Sequence, residues 1–201
     1  VSWLFIKAIK DYIEYTNEVN FLNEEIELIY TDDNIETHYR KKSRGVKRIL
    51  SIADIIQDIF ASTAKGIVFR EYKAGSEIDH DMQGQGFNVT VTLDPLTGFV
   101  YGGNEYNCGT WMDKIGNSIR GHNKGTPATP RNGADIEIVA LVYSALEFIL
   151  SMSTKGYYKY KSVTLSNGVS YPFTQWKLRI KDNFESSFFI SRLTKNCKEN
   201  I

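Results

Sequence analysis

A helix that is apolar around most of its circumference cannot lie on a protein surface, and Ala134 to Met152 reads as such a helix. Ile136, Val139, Ala140, Tyr143, Leu146, Ile149 and Leu150 recur at helical spacing and trace a broad apolar face. That face must be sandwiched between other elements. The chain offers three candidates. Trp3 to Tyr15 carries Leu4, Ala8, Ile9, Tyr12 and Ile13 at three/four spacing. Ile49 to Ala64 turns Ile52, Ile55, Ile56, Ile59 and Phe60 inward and stops at Lys65-Gly66. Phe173 to Phe189 aligns Trp176, Ile180, Phe184 and Phe188. The expected architecture is mainly helical.

Two stretches change period from helical to two. Phe87, Val89 and Val91 alternate with Asn88, Thr90 and Thr92, and Phe99-Val100-Tyr101 returns after Asp94-Pro95-Leu96-Thr97-Gly98. Proline pre-sets one turn dihedral and glycine accepts positive φ, so 86–101 is predicted to be a β-hairpin. Lys161–Leu165 and Val169–Tyr171 flank Ser166-Asn167-Gly168 as a second, smaller hairpin. Residues 16–48 read as a polar connection. Its basic run, Arg40 to Arg48, has Tyr39 as its sole neighbouring aromatic and is expected to be a solvated loop, not an anion or nucleic-acid patch.

Lys+Arg and Asp+Glu number 24 each, which leaves no net charge to attract nucleic acid or an acidic membrane. No apolar run is expected to reach the roughly 20 residues that cross a bilayer. Two cysteines, Cys108 and Cys197, are too few for a disulfide scaffold, so a reduced, cytoplasmic setting is expected. Asn88-Val89-Thr90 could accept a glycan only in a secreted protein. The chain starts at Val1 within a helical pattern and closes on a polar tail, and the expectation is a fragment of a longer protein.

The first hairpin runs directly into Tyr101-Gly102-Gly103-Asn104-Glu105-Tyr106-Asn107-Cys108-Gly109-Thr110-Trp111-Met112-Asp113. This segment sets a carboxylic acid beside a tryptophan among glycines, amides and aromatics. Flat rings stack a pyranose, amides bond its hydroxyls, and an acid kept dry has a raised pKa and can donate a proton to a leaving oxygen. The plain alternative is a Gly-rich surface loop whose aspartate caps a neighbouring element.

Several ordered motifs together carry a family resemblance. Gly86-Phe87-Asn88-Val89 leads through Asp94 and Thr97–Asn104 to Asn107–Lys114, followed by Pro127-Ala128-Thr129-Pro130-Arg131, Gly133 and Glu137-Ile138. The run resembles the C-terminal amylo-α-1,6-glucosidase domain of eukaryotic glycogen debranching enzymes, densely from about Gly66 to Phe148 and more loosely through Asp182-Asn183-Phe184-Glu185. The resemblance implies a partial (α/α)6 toroid of the glucoamylase-like type with inserted β-hairpins, all of 1–201 lying in one such domain. It implies hydrolysis of the α-1,6-linked glucose stub on glycogen or a branched limit dextrin, without metal or organic cofactor.

On that resemblance Asp113 is the general acid. Inversion needs a second carboxyl roughly 6.5–9.5 Å away. The family's base lies in a Gly-Pro-Glu-Trp-like motif absent from these residues, so the remainder of the same polypeptide must provide it, along with the 4-α-glucanotransferase half. Trp111 is a sugar-facing wall or a core plug. Tyr101, Asn104 and Asn107 suit sugar hydroxyls, with loop self-bonding as the alternative for the asparagines. Arg131 can fork onto a hydroxyl pair or make a structural ion pair. Glu137, in the first turn of the central helix, can bind sugar or answer the helix dipole. His38, His80 and His122 lack ligand spacing, and Cys108 reads as a small buried residue. Asn132 stands where the family often has Asp, and 16–47 resembles it poorly. The alternatives are a non-catalytic glucan-binding module and another glycosidase of glucoamylase or trehalase type.

Overall fold

The computed structural model describes residues 2–30, 46–70, 75, 77, 80–81, 84–106, 116–127 and 132–190. In chain order these form α1 (Ser2–Thr16), a 3-10 turn (Val19–Asn23), β1 (Glu25–Tyr30), β2 (Val46–Ser51), α2 (Ile52–Lys65) and β3 (Ile67–Arg70). A second 3-10 turn (Gly84–Phe87), β4 (Asn88–Leu93), β5 (Val100–Gly102), α3 (Ile136–Thr154), β6 (Ser162–Thr164), β7 (Ser170–Pro172) and α4 (Phe173–Phe188) follow. Four α-helices and small antiparallel sheets, ordered β1-β2, β3-β4-β5 and β6-β7, make the chain mainly helical.

The central helix is α3. It packs against α1 on one side and α4 on the other, and buries Ile138, Val139, Val142, Ala145, Leu146, Phe148, Ile149 and Met152. This is the sandwich its composition demands. At 19 residues with mean hydropathy 1.7, α3 is long and apolar enough to cross a bilayer. The expectation that no apolar stretch reaches that length is therefore corrected; here the apolar side chains go into helix–helix contacts.

The aromatic centre is Phe60 of α2. Its ring meets Trp3 edge-on at 5.2 Å, Phe173 at 5.1 Å and Trp176 at 5.5 Å, so one side chain joins α1, α2 and α4. Full burial of each such ring contributes about 1.5–3 kcal/mol, and edge-to-face geometry adds to it. Trp3 selects the rotation of α1. Its buried face is Trp3, Ile6, Ile9 and Ile13, whereas Leu4 and Tyr12, expected inside, are exposed. The helix has two apolar stripes, and the one that reaches Phe60 goes inward.

Two further expectations are corrected. Residues 16–48 are more than a polar connection: β1 and β2 pair from Glu25↔Ser51 to Tyr30↔Val46. In the sequence the alternation of β1 covers only Glu25 to Leu28, too short to stand out. The basic residues Lys47 and Arg48 thus lie in a strand, while 31–45 fall outside the described residues. Helix α2 begins at Ile52, not Ile49, because Ser51 is its N-cap. Ser51 Oγ accepts from the Asp54 N–H at 3.1 Å and the Asp54 carboxylate accepts from the Ser51 N–H at 3.2 Å, a reciprocal capping box. Gly66, at φ 90°, ends the helix as expected. The small hairpin of β6 and β7 also forms where the turn residues place it.

Asp54 has a second task. It accepts from the Tyr160 hydroxyl and pairs with Lys159 Nζ at 2.9 Å, clasping the segment after α3 to the start of α2. Beside it the Tyr158 hydroxyl donates to Gln57 Oε1 at 3.0 Å, and Gln57 Nε2 donates to the Ser162 carbonyl at 3.1 Å. The Tyr160 hydroxyl, then Lys159 and Ser51, hold the Asp54 carboxyl well below the usual carboxylate range against the opposing effect of burial. A depressed folded pKa stabilises the fold above the unfolded value, about 3.9. That stabilisation fades as pH falls toward the folded value. Asp54→Ala is expected to lose about 2 kcal/mol at pH 7. Urea titrations should show the gap from wild type closing as pH drops below about 4.

Candidate active site

The turn between β4 and β5 is seated on α4. Trp176 Nε1 donates to the Gly98 carbonyl at 2.8 Å, a fully buried bond. The Tyr171 hydroxyl donates to the Pro95 carbonyl at 3.0 Å. Within the turn, Asp94 accepts from the Leu96 N–H and the Thr97 hydroxyl, and the Gly98 N–H returns to the Asp94 carbonyl at 2.8 Å. Gly98 has φ 77°, and a Cβ there would lie 2.9 Å from the Ile180 backbone nitrogen. Only glycine meets both conditions, the left-handed backbone and the close approach to α4.

From this seat β5 runs to Gly102, which forms a two-way backbone bridge with Gly133. The Gly102 N–H reaches the Gly133 carbonyl at 3.0 Å and the Gly133 N–H reaches the Gly102 carbonyl at 3.2 Å. The bridge joins the start of the Tyr101–Asp113 run to the approach of α3. Tyr101 is half-buried on β5 and Glu137 is half-buried in the first turn of α3. Sequence segments more than thirty residues apart are thus brought to the same end of the central helix, where its dipole favours negative charge.

Tyr101 borders a cavity of about 100 Å³ with Trp3, Val91, Gly102, Asp135 and Ile138. Ligand clefts span roughly 300–1,000 Å³, so this cavity is too small for a sugar. A larger groove of about 460 Å³ opens between α3 and α4, lined by Val139, Ala140, Tyr143, Ile180, Lys181, Phe184 and Glu185. Its walls are almost wholly apolar.

Asn104 ties the loop to the second 3-10 turn and the start of β4. Its Nδ2 donates to the Gln85 carbonyl at 3.1 Å and to the Asn88 carbonyl at 3.4 Å, and its Oδ1 accepts from the Tyr106 N–H at 2.8 Å. Of these contacts, the one with Tyr106 lies within the loop. The Tyr106 hydroxyl is pushed above its ordinary pKa, chiefly by its hydrogen bond with Glu105. Asp113, Trp111, Asn107 and Arg131 lie outside the described residues, as does Cys108. The segment that follows is described. The Gly116 N–H donates to the Thr126 carbonyl at 2.8 Å and the Gly125 N–H to the Gly116 carbonyl at 2.9 Å. Among the described residues, no group of three or more His, Cys, Asp and Glu could hold a metal ion.

Sequence reasoning missed a second set of residues. Arg70 Nη1 donates to the Gly84 carbonyl at 2.9 Å and to Asn88 Oδ1 at 2.8 Å, and its guanidinium lies 5.4 Å from the Phe87 ring centre. Asn88 Nδ2 donates to Gln85 Oε1 at 2.9 Å. No motif announces this network. The available signal was the arginine closing the short apolar run Ile67-Val68-Phe69, which pairs with β4.

The described part of the site is thus a hairpin seated on packed helices, with the start of the glycine- and amide-rich run bridged at Gly102 to the approach of α3. The family model described as amylo-alpha-1,6-glucosidase matches residues 1–201. The chain belongs to the amylo-α-1,6-glucosidase family. It is 37% identical over 190 residues to a protein of Saccharomyces cerevisiae (strain ATCC 204508 / S288c) named glycogen debranching enzyme, an alignment covering 94% of this chain. The chain spans 12% of the length of that relative.

The seat of the hairpin gives a test. Gly98→Ala forces a side chain into left-handed backbone and against the α4 backbone. The expected loss is roughly 2–4 kcal/mol in a denaturant titration. Ala at Gly168, also at positive φ (83°) but with open space around it, should cost about 1 kcal/mol.

Proposed function

We propose that the protein containing this chain hydrolyses the α-1,6-linked glucose at glycogen branch points. The observation that carries this reading is the family match along the whole chain, through the Tyr101–Asp113 run. The name of the yeast relative supports glycogen as the polymer acted on. In this reading α1 to α4 contribute part of an (α/α)6 toroid, and the protein works in the cytoplasm on glycogen or a branched limit dextrin.

Asp113 donates its proton to the glycosidic oxygen as the bond from that oxygen to the anomeric carbon breaks. A carboxylate from elsewhere in the polypeptide removes a proton from water, whose oxygen attacks the anomeric carbon from the opposite face. Free glucose leaves with inverted configuration and the main chain keeps its hydroxyl. Solvent exchange then restores the proton to Asp113 and removes it from the base. Trp111 keeps the acid dry. Tyr101, Asn104, Asn107, Arg131 and Glu137 meet the sugar hydroxyls.

The test uses the full-length polypeptide with both carboxyl groups. Asp113→Asn should lower glucose release from a singly branched limit dextrin by about 10²–10⁴-fold. Chain transfer by the same protein should persist. Unchanged glucose release removes Asp113 from the reaction, and sugar binding without turnover in the wild type identifies a glucan-binding module instead.

A further inference from the structure

We infer that Asn132 is a spontaneous deamidation site, and that its conversion to isoaspartate opens the backbone bridge between β5 and the approach to α3. The inference goes beyond the reaction proposed above and does not depend on it.

The sequence holds two Asn-Gly pairs, Asn132-Gly133 and Asn167-Gly168. Glycine after asparagine favours deamidation, because no side chain shields the glycine nitrogen from the asparagine side-chain carbonyl. At Asn132 the Gly133 nitrogen gives its proton to solvent base and attacks Asn132 Cγ. The bond from Cγ to the side-chain nitrogen breaks, and ammonia leaves with a proton taken from water. The five-membered imide so formed is hydrolysed by water at either of its two carbonyls. One opening gives aspartate. The other gives isoaspartate, in which the main chain runs through Cγ and is longer by a methylene. The net exchange is water in and ammonia out, with no oxidation.

Both asparagines are exposed, and a Cβ on either glycine would meet nothing within 4 Å. Hydrogen bonds therefore separate the two sites. Asn167 Oδ1 accepts from the Val169 N–H at 3.0 Å, so its side chain is held. The Gly168 N–H donates to the Leu165 carbonyl at 2.9 Å, and the Leu165 N–H donates to the Val169 carbonyl at 2.9 Å. These bonds close a hairpin paired from Ser162↔Pro172 to Thr164↔Ser170, with Tyr171 buried. Attack at Asn167 has to break the turn and release the side chain together.

Asn132 is held by much less. Among the described residues its side chain makes no hydrogen bond. The Gly133 N–H has one bond, to the Gly102 carbonyl at 3.2 Å, in an isolated bridge and not in a ladder. A single long bond opens more readily than a closed hairpin. Reaction rate follows geometry, and a misplacement of about 1 Å can cost about 10²-fold. An untied side chain therefore reacts ahead of a tied one. The longer main chain of isoaspartate then displaces Gly133 from Gly102, and the new carboxylate lies shortly before Asp135 and Glu137. The bridge cannot keep both of its bonds.

The full-length polypeptide is incubated at mildly alkaline pH, either folded or in guanidinium chloride, and then digested. The mass gain that marks –NH2 exchanged for –OH is followed in the peptides containing Asn132 and Asn167. An isoaspartate-specific methyltransferase reports the longer linkage. In the folded protein Asn132 should convert at least about fivefold faster than Asn167, and in denaturant the two should differ by less than about twofold. Equal rates in the folded protein, or faster conversion at Asn167, overturn the inference. So does an Asn132 that stays intact while the denatured sample converts. Asn132→Gln should remove the signal from that peptide, because the larger imide ring closes far more slowly, and a signal that persists overturns the assignment. The wild-type comparison decides alone if that variant does not fold. Hydrogen exchange at the Gly102 and Gly133 amides should accelerate at least about tenfold in the isoaspartyl form. Unchanged exchange overturns the opening of the bridge.

Discussion

One ring holds the helices in register. Phe60 touches Trp3, Phe173 and Trp176 at once, and so fixes the rotation of α1, α2 and α4 relative to one another. Trp176 then turns its other resource, the indole N–H, toward the Gly98 carbonyl. A buried carbonyl without a partner costs about 1–3 kcal/mol, so this bond fixes where the hairpin turn can sit. The apolar core and the loop chemistry are joined through a single side chain.

The route from core to site is short. The hairpin turn rests on α4, β5 carries the chain to Gly102, and Gly102 bridges to Gly133 at the approach to α3. Burial of α3 between α1 and α4 orients the helix N-terminus beside which Gly102, at the start of the Gly- and amide-rich run, is held. Residues that touch no sugar thereby govern the placement of those that do in the proposed reaction. The Asp54 clasp performs the same service on the far side, joining the segment after α3 to the cap of α2.

Much of this was legible in the sequence, for physical reasons that differ by element. The breadth of the apolar face on α3 demanded neighbours on both sides, and it has them. Turn chemistry at Asp94–Gly98 and Ser166–Gly168 gave both hairpins. The rotation of α1 was not legible, because Leu4, Ala8 and Tyr12 form as good a stripe as Trp3, Ile6, Ile9 and Ile13. Only the position of Phe60 in space decides between them. β1 escaped because its alternation covers only Glu25 to Leu28 and it needs β2 to define it. Family membership was legible from the motif run. Of the candidate site, Tyr101 and Glu137 come to one end of α3, and Asn104 bonds Gln85 as well as its neighbour Tyr106. Bonds such as Arg70 to Gly84 were hidden because they end on backbone carbonyls, which every residue carries alike.

The composition of α3 also bears on biosynthesis. α1 leaves the ribosome long before α3, while α4 emerges only after it. For that interval one flank of a 19-residue helix, greasy enough to pass for a bilayer anchor, has no cover of its own. Chaperones that recognise bare apolar helices, and targeting factors that sort them to membranes, would compete for the nascent chain during that window. Translation speed between Thr154 and Phe173 therefore sets how long the newborn polypeptide stays vulnerable to misrouting.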